Sequence, residues 1–309
     1  MKILKTLKKV KFHKATALTL GFFDGVHKGH RMIISRTVKY AKRHGLVSVV
    51  YTFLPSKTWK CPFARKRPLL TSVDHRLKLI EDIGVDYCYL QDFTKAFASI
   101  SAADFLDKVL FPKFKPEYIC IGSNFRFGKN QKGTAMMMRQ TAAKKGIRLE
   151  IEKPFRLNGR NVSSSGIRSL IEAGRIEEAS KYLGRPYSVL GTVIHGKGLG
   201  RRIGFPTANL DPHNEAIPPL GVYATRTIIN GKTFDSVTNI GKFKDNRIIE
   251  AHIFNFRKNL TGKDIEVLFF KKLRPEMEFE SSGTLAAQIK KDCYKARNLL
   301  RSRELYYKK

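Results

Sequence analysis

The first half of the chain alternates short apolar runs with longer segments in which apolar residues recur at helical spacing. Four runs rich in β-branched and aromatic residues predict strands: residues 16–22, 46–53, 85–93 and 118–125. The segments between these strands predict helices: residues 30–45, 72–84 and 101–114. Gly45 and Gly84 end the first two helices, because glycine adopts the left-handed capping conformation at little cost. This order predicts an α/β fold with a parallel sheet, whose ligands bind beyond the carboxyl ends of the strands.

The pattern changes after two short helices predicted within residues 163–187. Five strand-like runs follow, separated by Gly, Asn, Asp or Pro turns: residues 187–195, 221–229, 232–240, 248–256 and 264–273. The last segment, 284–307, places Leu285, Ile289, Ala296 and Leu299 or Leu300 on one helical stripe. The second half therefore predicts a small antiparallel β-barrel with a C-terminal helix. We expect two domains, residues 1–185 and 186–309.

Composition favours a folded protein that stays in the cytoplasm. The chain has 309 residues, of which 42% are hydrophobic, and no apolar run reaches the roughly 18 residues that span a bilayer. Its basic start lacks the apolar block and cleavage site of a secretory signal. The cysteines lie far apart without the spacing of a zinc site, so we expect reduced thiols: Cys61, Cys88, Cys120 and Cys293.

The formal net charge of +33 attracts phosphates of every kind. Lysine and arginine are scattered through both halves rather than clustered in a stripe or a reading helix. A general basic bias with solvated helix faces explains this distribution best. A basic nucleic-acid-binding protein built on a nucleotide-binding scaffold remains the alternative from a different functional class.

The stretch GFFDGVHKGH, residues 21–30, joins the first predicted strand to the first predicted helix. Gly21 allows a tight turn at the strand end, and the helix start offers unpaired N–H groups to an anion. His27 and His30 are three residues apart and are able to point both rings at that anion. A histidine pair alone is more often structural, but this combination predicts a phosphate cradle suited to nucleotidyl transfer.

Motifs along nearly the whole chain resemble those of the bacterial bifunctional riboflavin kinase and FAD synthetase family. The stretch LGFFDGVHKGH resembles its nucleotide-binding box, and further similar stretches follow in the same order: IGSNFRFGKNQKG (121–133), VSSSGIR (162–168), GRPYSVLGTVIHGKGLGRRIGFPTANL (184–210), and then GVYAT, TNIG, IIEAHIF and LRPEMEFES. The resemblance implies a Rossmann-like nucleotidyltransferase domain before the barrel. It also implies two activities, phosphorylation of riboflavin to FMN by ATP and adenylation of FMN to FAD with release of pyrophosphate.

For the adenylyl transfer, the resemblance implies two sets of residues. The first set binds ATP: Gly21, Phe23, Asp24, His27, His30, Ser164, Ser165 and Arg168. The second set binds the flavin: Asn124, Arg126 and Phe127. Asn124 stands where the family often has aspartate, and Ser165 stands where it often has threonine. On the residues alone, the serines also fit an ordinary helix cap and Phe127 a core position.

For the kinase step, the resemblance assigns ATP and Mg²⁺ to a glycine-rich loop and the strand after it: Gly196, Gly198, Gly204, Thr207 and Asn209. Thr207 and Asn209 offer the hard oxygen ligands that Mg²⁺ prefers. Glu250 corresponds to the general base that helps the ribityl 5′-hydroxyl of riboflavin attack the γ-phosphate. From the strand pattern alone, Glu250 also fits a solvated surface position.

Two departures from the family concern the kinase half. Leu199 replaces an arginine that is often found there, and residues 242–247 (KFKDNR) replace a Pro-Thr turn and a longer loop, which implies a shortened flap. The alternative within the same enzyme class is therefore an FAD synthetase whose kinase is impaired or lost. We expect small-molecule substrates, no specific nucleic acid, no membrane, and a monomer or weak homo-oligomer.

Overall fold

The computed structural model describes residues 1–7, 12–54, 68–196, 198–213, 215–243 and 246–303, without the side chains at 243, 246, 302 and 303. Cys61 lies outside the described residues; Cys88, Cys120 and Cys293 are buried thiols. Backbone contacts divide the chain into two units, one with residues 1–67 and 73–163 and the other with residues 68–72 and 164–309. No helix in the described ranges has both the length and the apolar character needed to cross a membrane.

The first unit contains ten strands and six α-helices among its described residues. The strands are β1 (Lys2–Leu4), β2 (Thr16–Leu20), β3 (Val47–Leu54), β4 (Tyr87–Asp92), β5 (Pro116–Gly122), β6 (Arg126–Phe127), β7 (Gly133–Thr134), β8 (Arg148–Glu152), β9 (Arg156–Leu157) and β10 (Arg160–Asn161). The helices are α1 (Lys28–His44), α2 (Val73–Glu81), α3 (Lys95–Ala98), α4 (Ala102–Asp104), α5 (Phe111–Phe114) and α6 (Ala135–Lys144). A π-helical stretch, Phe105–Leu110, joins α4 to α5, and Lys129–Gln131 forms a 3₁₀ turn.

Six of these strands form one parallel sheet in the order β1-β4-β3-β2-β5-β8. The prediction of a parallel α/β sheet is confirmed. The chain builds outward from β2 through β3 to β4, and then crosses back over β2 to form β5 on its other side. The carboxyl ends of β2 and β5 therefore flank the point where the strand order reverses, which is where ligands bind in open α/β sheets.

The second unit contains six strands and four helices among its described residues. The strands are β11 (Tyr187–Ile194), β12 (Ala208–Asp211), β13 (Gly221–Ile229), β14 (Lys232–Phe243), β15 (Asn246–Ile253) and β16 (Asp264–Arg274). The helices are α7 (Ser164–Glu172), α8 (Ile176–Leu183), α9 (Leu199–Arg202) and α10 (Ser282–Arg303). The strands close an antiparallel barrel in the order β11-β12-β15-β14-β13-β16, so the predicted barrel is also confirmed.

Helix α10 covers one face of the barrel through the stripe that its sequence predicts. Ala296 and Leu300 are fully buried. Ala296 joins Val222 of β13 and Val237 of β14 in one apolar cluster, against which Ile289 packs. Backbone contacts place α7 and α8 in the second unit. The predicted domain boundary at residue 185 stays a prediction.

Candidate functional sites

The turn between β2 and α1 is built around the ring of Phe23. A Cβ atom on Gly21 would lie 2.8 Å from that ring, so only glycine leaves room for it. Phe23 adopts a positive φ of 53° and is 3% exposed, and its ring meets the ring of His30 edge-on with centroids 5.3 Å apart. Phe23, predicted to contact ATP, therefore packs against His30, and Gly21, also predicted to contact ATP, leaves room for the Phe23 ring.

The two histidines of this turn lie directly against each other. His27 is the N-cap of α1, and its Nδ1 accepts a hydrogen bond of 3.3 Å from the backbone N–H of His30. The two rings stack with centroids 3.6 Å apart. Burial, followed by the neighbouring His27 and the charge of Arg76, holds the pKa of His30 well below its usual range. His30 is therefore neutral near pH 7 and donates one hydrogen bond at most from its ring.

The sequence analysis did not identify Arg76, a buried arginine that contacts this turn. Arg76 of α2 is 0% exposed and donates hydrogen bonds to the carbonyl oxygens of Phe22 (2.8 Å) and Phe53 (2.7 Å). Its guanidinium carbon lies 4.7 Å from the centre of the Phe22 ring. Burial lowers the pKa of Arg76, and the carboxylate of Asp24, itself 4% exposed, opposes this shift. Arg76 thus ties α2 to the residues that follow β2 and to the end of β3.

A sequence signal for Arg76 did exist. In α2 the residues at helical spacing Val73, Arg76, Leu77 and Ile80 form one stripe, and all but Val73 are buried. An arginine on an apolar stripe must find hydrogen-bond acceptors inside the protein, because an unpaired buried charge is very costly. The segment nevertheless resembles an ordinary amphipathic helix, in which a charged residue is usually solvated.

An aromatic cavity of about 360 Å³ opens in the first unit. Its phenylalanines are Phe53, Phe93, Phe97, Phe105 and Phe127, and its basic residues are Lys95, Arg126 and Lys129. The structure therefore brings the predicted flavin residues Arg126 and Phe127 to one cavity, whereas Asn124 is exposed and is not among the residues that line it. Sequence analysis missed the other phenylalanines, although two of them lie at the carboxyl ends of the adjacent strands β3 and β4.

The three residues predicted to bind phosphate in the second box belong to the other unit. Ser164 and Ser165 are the first two residues of α7, and Arg168 lies one turn further on. The Nε of Arg168 donates a hydrogen bond of 2.8 Å to the carbonyl oxygen of Pro68. The role of these three residues in binding ATP stays a prediction.

In the barrel, three polar side chains form a row across neighbouring strands. Glu250 of β15 lies opposite Asn209 of β12 on one side and opposite Asn239 of β14 on the other. Directly opposed residues of antiparallel strands point to the same face of the sheet. Asn239 Nδ2 lies 3.4 Å from Glu250 Oε2 and donates to it. The Glu250 carboxylate is therefore placed between two amide side chains rather than on an open surface.

A cavity of about 250 Å³ lies above this row. Its polar lining includes Thr207, Asn239, Glu250 and His252, and its apolar lining includes Leu199, Val222, Phe205, Met277, Phe279 and Ile289. The predicted base Glu250 and the predicted ligand Thr207 thus face one space. Leu199, one of the two departures from the family, is 48% exposed and lines the same cavity.

The glycine-rich loop packs closely against β12. A Cβ atom on Gly196 would collide with the amide of Asn209, so a glycine is needed at this approach. Gly198 precedes α9 with a φ of 70°, and Gly204 follows it with a φ of 86°. The loop is folded back on itself, since the Phe205 N–H donates a hydrogen bond of 2.7 Å to the carbonyl oxygen of Gly200.

The altered segment 242–247 lies at the end of the β14–β15 pair. Lys242 is paired with Arg247, and Phe243 is paired with Asn246. Residues 244 and 245 lie outside the described residues. The predicted shortening of the flap falls partly on these two residues and stays a prediction.

Comparisons with known proteins match two successive parts of the chain. Residues 9–166 match a family model described as FAD synthetase, and residues 183–300 match one described as riboflavin kinase. A bifunctional riboflavin kinase/FMN adenylyltransferase from Buchnera aphidicola is 33% identical over 94% of this chain and 96% of its own. The protein with the same description from Bacillus subtilis is 34% identical over 90% of each chain.

A solved structure agrees with the fold over the same range. A crystal structure described as a macrolide-efflux protein from Streptococcus pneumoniae has a TM-score of 0.84 and 28% sequence identity. The match covers 96% of this chain and 99% of that one. Both units of the present chain therefore have counterparts in one solved protein.

Proposed function

Since the chain belongs to the family of bifunctional riboflavin kinase/FMN adenylyltransferases, we propose that it makes FAD from riboflavin in two ATP-dependent steps at two separate sites. The second unit phosphorylates riboflavin to FMN, and the first unit adenylates FMN to FAD with release of pyrophosphate. The observation that carries this proposal is that each unit has its own cavity and its own cluster of predicted polar residues.

In the kinase step, Glu250 accepts the proton of the ribityl 5′-hydroxyl as this oxygen attacks the γ-phosphate of ATP. The amide of Asn239, 3.4 Å from the carboxylate, orients it. The apolar walls formed by Val222, Met277 and Phe279 suit the flat, mainly apolar ring system of a flavin.

Magnesium fits the oxygen donors in and beside this cavity, whose lining includes Thr207 and Glu250 but not Asn209. Thr207 lines it and Asn209 lies opposite Glu250, so a hydroxyl, an amide oxygen and a carboxylate belong to one neighbourhood. Mg²⁺ commonly takes one or two such protein oxygens and completes its shell with phosphate and water. We assign Thr207 and Asn209 as its ligands, where the ion supplies charge neutralisation to the phosphates.

In the adenylyl transfer, the FMN phosphate is itself the nucleophile, so the protein positions reactants and stabilises charge. His27, His30 and the N-terminal N–H groups of α1 hold the triphosphate of ATP at the β2 end. Neutral His30 contributes a hydrogen bond rather than a full charge. The aromatic cavity with Arg126 and Phe127 takes the isoalloxazine ring. For Ser164, Ser165 and Arg168, which belong to the second unit, a phosphate-binding role rests on the family resemblance alone. Asn124, which is exposed between β5 and β6 and does not line this cavity, is assigned to the flavin by the family resemblance alone.

The proposal is tested by incubating the full chain with ATP and Mg²⁺ and either riboflavin or FMN, and by separating riboflavin, FMN and FAD chromatographically. We expect riboflavin to pass through FMN to FAD, and FMN to give FAD directly. FAD formed only from FMN would support the alternative of an impaired kinase, with Leu199 as the first position to change. Absence of both products would contradict the proposal, and salt-sensitive binding of RNA would then be measured.

A further inference from the structure

His252 is one of the polar residues of the barrel cavity that have no part in the proposed chemistry. His252 lies on β15 two residues after Glu250, so both side chains point to the same face of the strand. Both line the cavity of about 250 Å³ together with Thr207. His252 is therefore close to the proposed reaction without being assigned a role in it.

The hydrogen bond of His252 falls where the backbone ladder stops. Strand β12 pairs with β15 from Leu210 to Ala208, which lies opposite Ala251. The chain just before Ala208 contains Pro206, which has no N–H group to continue a ladder. Instead, the carbonyl oxygen of Pro206 lies 2.8 Å from Nδ1 of His252. A carbonyl oxygen only accepts, so Nδ1 carries the proton and donates it.

The ring of His252 is also fixed by its neighbours. Phe205 meets it edge-on with centroids 5.5 Å apart, and Phe254 does so at 5.7 Å. The guanidinium carbon of Arg297, on α10, lies 4.5 Å from the centre of the Phe254 ring. The imidazole is thus held in one orientation between the segment before β12 and the neighbourhood of α10.

We propose that His252 is a positioning residue of the kinase step, which holds the Pro206 carbonyl and thereby fixes the Thr207 hydroxyl relative to Glu250. This inference rests on the proposed kinase function of the second unit. His252 touches no reacting atom. Loss of its hydrogen bond frees the segment before β12. Thr207, the proposed ligand of Mg²⁺, then moves, while the residues that contact the flavin stay in place.

Two polar substitutions separate the hydrogen bond from the bulk of the ring. In His252→Asn the amide nitrogen takes the place of Nδ1 and keeps the bond to Pro206. In His252→Gln the amide lies one bond further out, near the place of Nε2, and the bond is lost. Riboflavin phosphorylation by the full chain is measured at varied Mg²⁺, ATP and riboflavin, and FAD formation from FMN in the same preparations reports on folding.

We expect His252→Gln to lower kcat of the kinase roughly 5- to 30-fold, which corresponds to about 1 to 2 kcal/mol in the barrier. The Mg²⁺ concentration at half-maximal rate should rise, and KM for riboflavin should change little. His252→Asn should recover most of kcat. His252→Met, which has similar bulk and no donor, should behave as His252→Gln and serves if that variant does not fold.

Equal kinetics of the Asn and Gln variants, or normal kcat in His252→Met, would overturn the inference. A change confined to KM for riboflavin would also overturn it, because it would make His252 a flavin contact. Thr207→Val tests separately whether Thr207 is the Mg²⁺ ligand of the proposed kinase site. If this change leaves the Mg²⁺ dependence unaltered, the metal-ligand proposal is wrong. If it abolishes kinase activity while His252→Asn and His252→Gln have equal kinetics, only the role of His252 is wrong.

Discussion

At the scale of single residues, environment decides what each predicted side chain is able to do. His30 has the same spacing from His27 as in any H-x-x-H pair, but burial and the nearby Arg76 charge lower its pKa and keep it neutral. Glu250 occupies an alternating strand, yet its register places two asparagines beside it. The same residue types on an open surface would have neither property.

His30→Ala should lower FAD formation from FMN roughly 10²- to 10³-fold, since one preorganised donor to the developing charge is removed. FMN formation from riboflavin should stay normal, because Glu250 and its neighbours lie in the other unit. The two rates are measured separately by chromatography. Equal loss of both activities would contradict the assignment of His30 to adenylyl transfer.

Glu250→Gln should give the opposite result. Removing the proton acceptor should lower the kinase rate roughly 10²- to 10⁴-fold, while FAD formation from FMN continues at its normal rate. A variant that keeps normal phosphorylation of riboflavin would show that another group acts as the base.

The lowered pKa of His30 also predicts a pH dependence of stability. The unfolded histidine has a pKa of about 6.5, and the folded one is lower. Between these values the unfolded chain binds a proton that the folded chain does not, so stability is full above about pH 6.5 and is lost as the pH falls. Denaturant unfolding of His30→Gln should therefore show a smaller decrease from pH 7.5 to pH 5 than the unchanged chain. An identical decrease would remove His30 from this role.

At the scale of elements, contacts between neighbouring elements hold both candidate sites in shape. Arg76 connects α2 to the residues after β2 and to β3 through hydrogen bonds. One of these bonds is to the carbonyl oxygen of Phe53, whose residue also lines the aromatic cavity. In the barrel, three strands present Asn209, Glu250 and Asn239 side by side. Each site thus depends on elements far apart in the sequence.

Arg76→Lys should reduce FAD formation and leave FMN formation unchanged. Lysine keeps the charge but lacks the fork that reaches two carbonyl oxygens, so one of the two charge-assisted hydrogen bonds is lost at a cost of about 1.5 to 3 kcal/mol. Activity and the free energy of unfolding are measured together. Arg43→Lys, at an exposed position of α1, is the matched control and should change neither quantity. Equal effects of the two substitutions would contradict the role of Arg76.

At the scale of the whole molecule, the proposed function makes FMN the product of one unit and the substrate of the other. A mixture of His30→Ala and Glu250→Gln chains should convert riboflavin to FAD, because each chain keeps one intact site and FMN passes between them through solution. Each variant alone should convert riboflavin to FAD more slowly than the unchanged chain. If the mixture makes FMN but no FAD, the FMN released by one chain does not reach the other.

The sequence predicted much of the fold, and the misses have local causes. Strands β1, β8 and β12 were not predicted, because each has only three to five residues and shows no clear spacing of apolar positions. Strand β8, for example, has the sequence RLEIE. Helix α6 was also missed, since AMMMRQTAAK has only a weak apolar stripe. The long periodic elements, such as α1 and α10, lie within a few residues of their predicted bounds.

The sequence by itself determined the family, the order of two units and the identity of the motif residues, because apolar period and short motifs are local properties of a chain. Only the tertiary structure decided that Arg76 supports the β2–α1 turn, that His30 is neutral, that phenylalanines from β3 onward enclose one cavity, and that His252 holds Pro206. These features arise from burial and strand register. Both depend on residues brought together from distant parts of the chain, which no local pattern encodes.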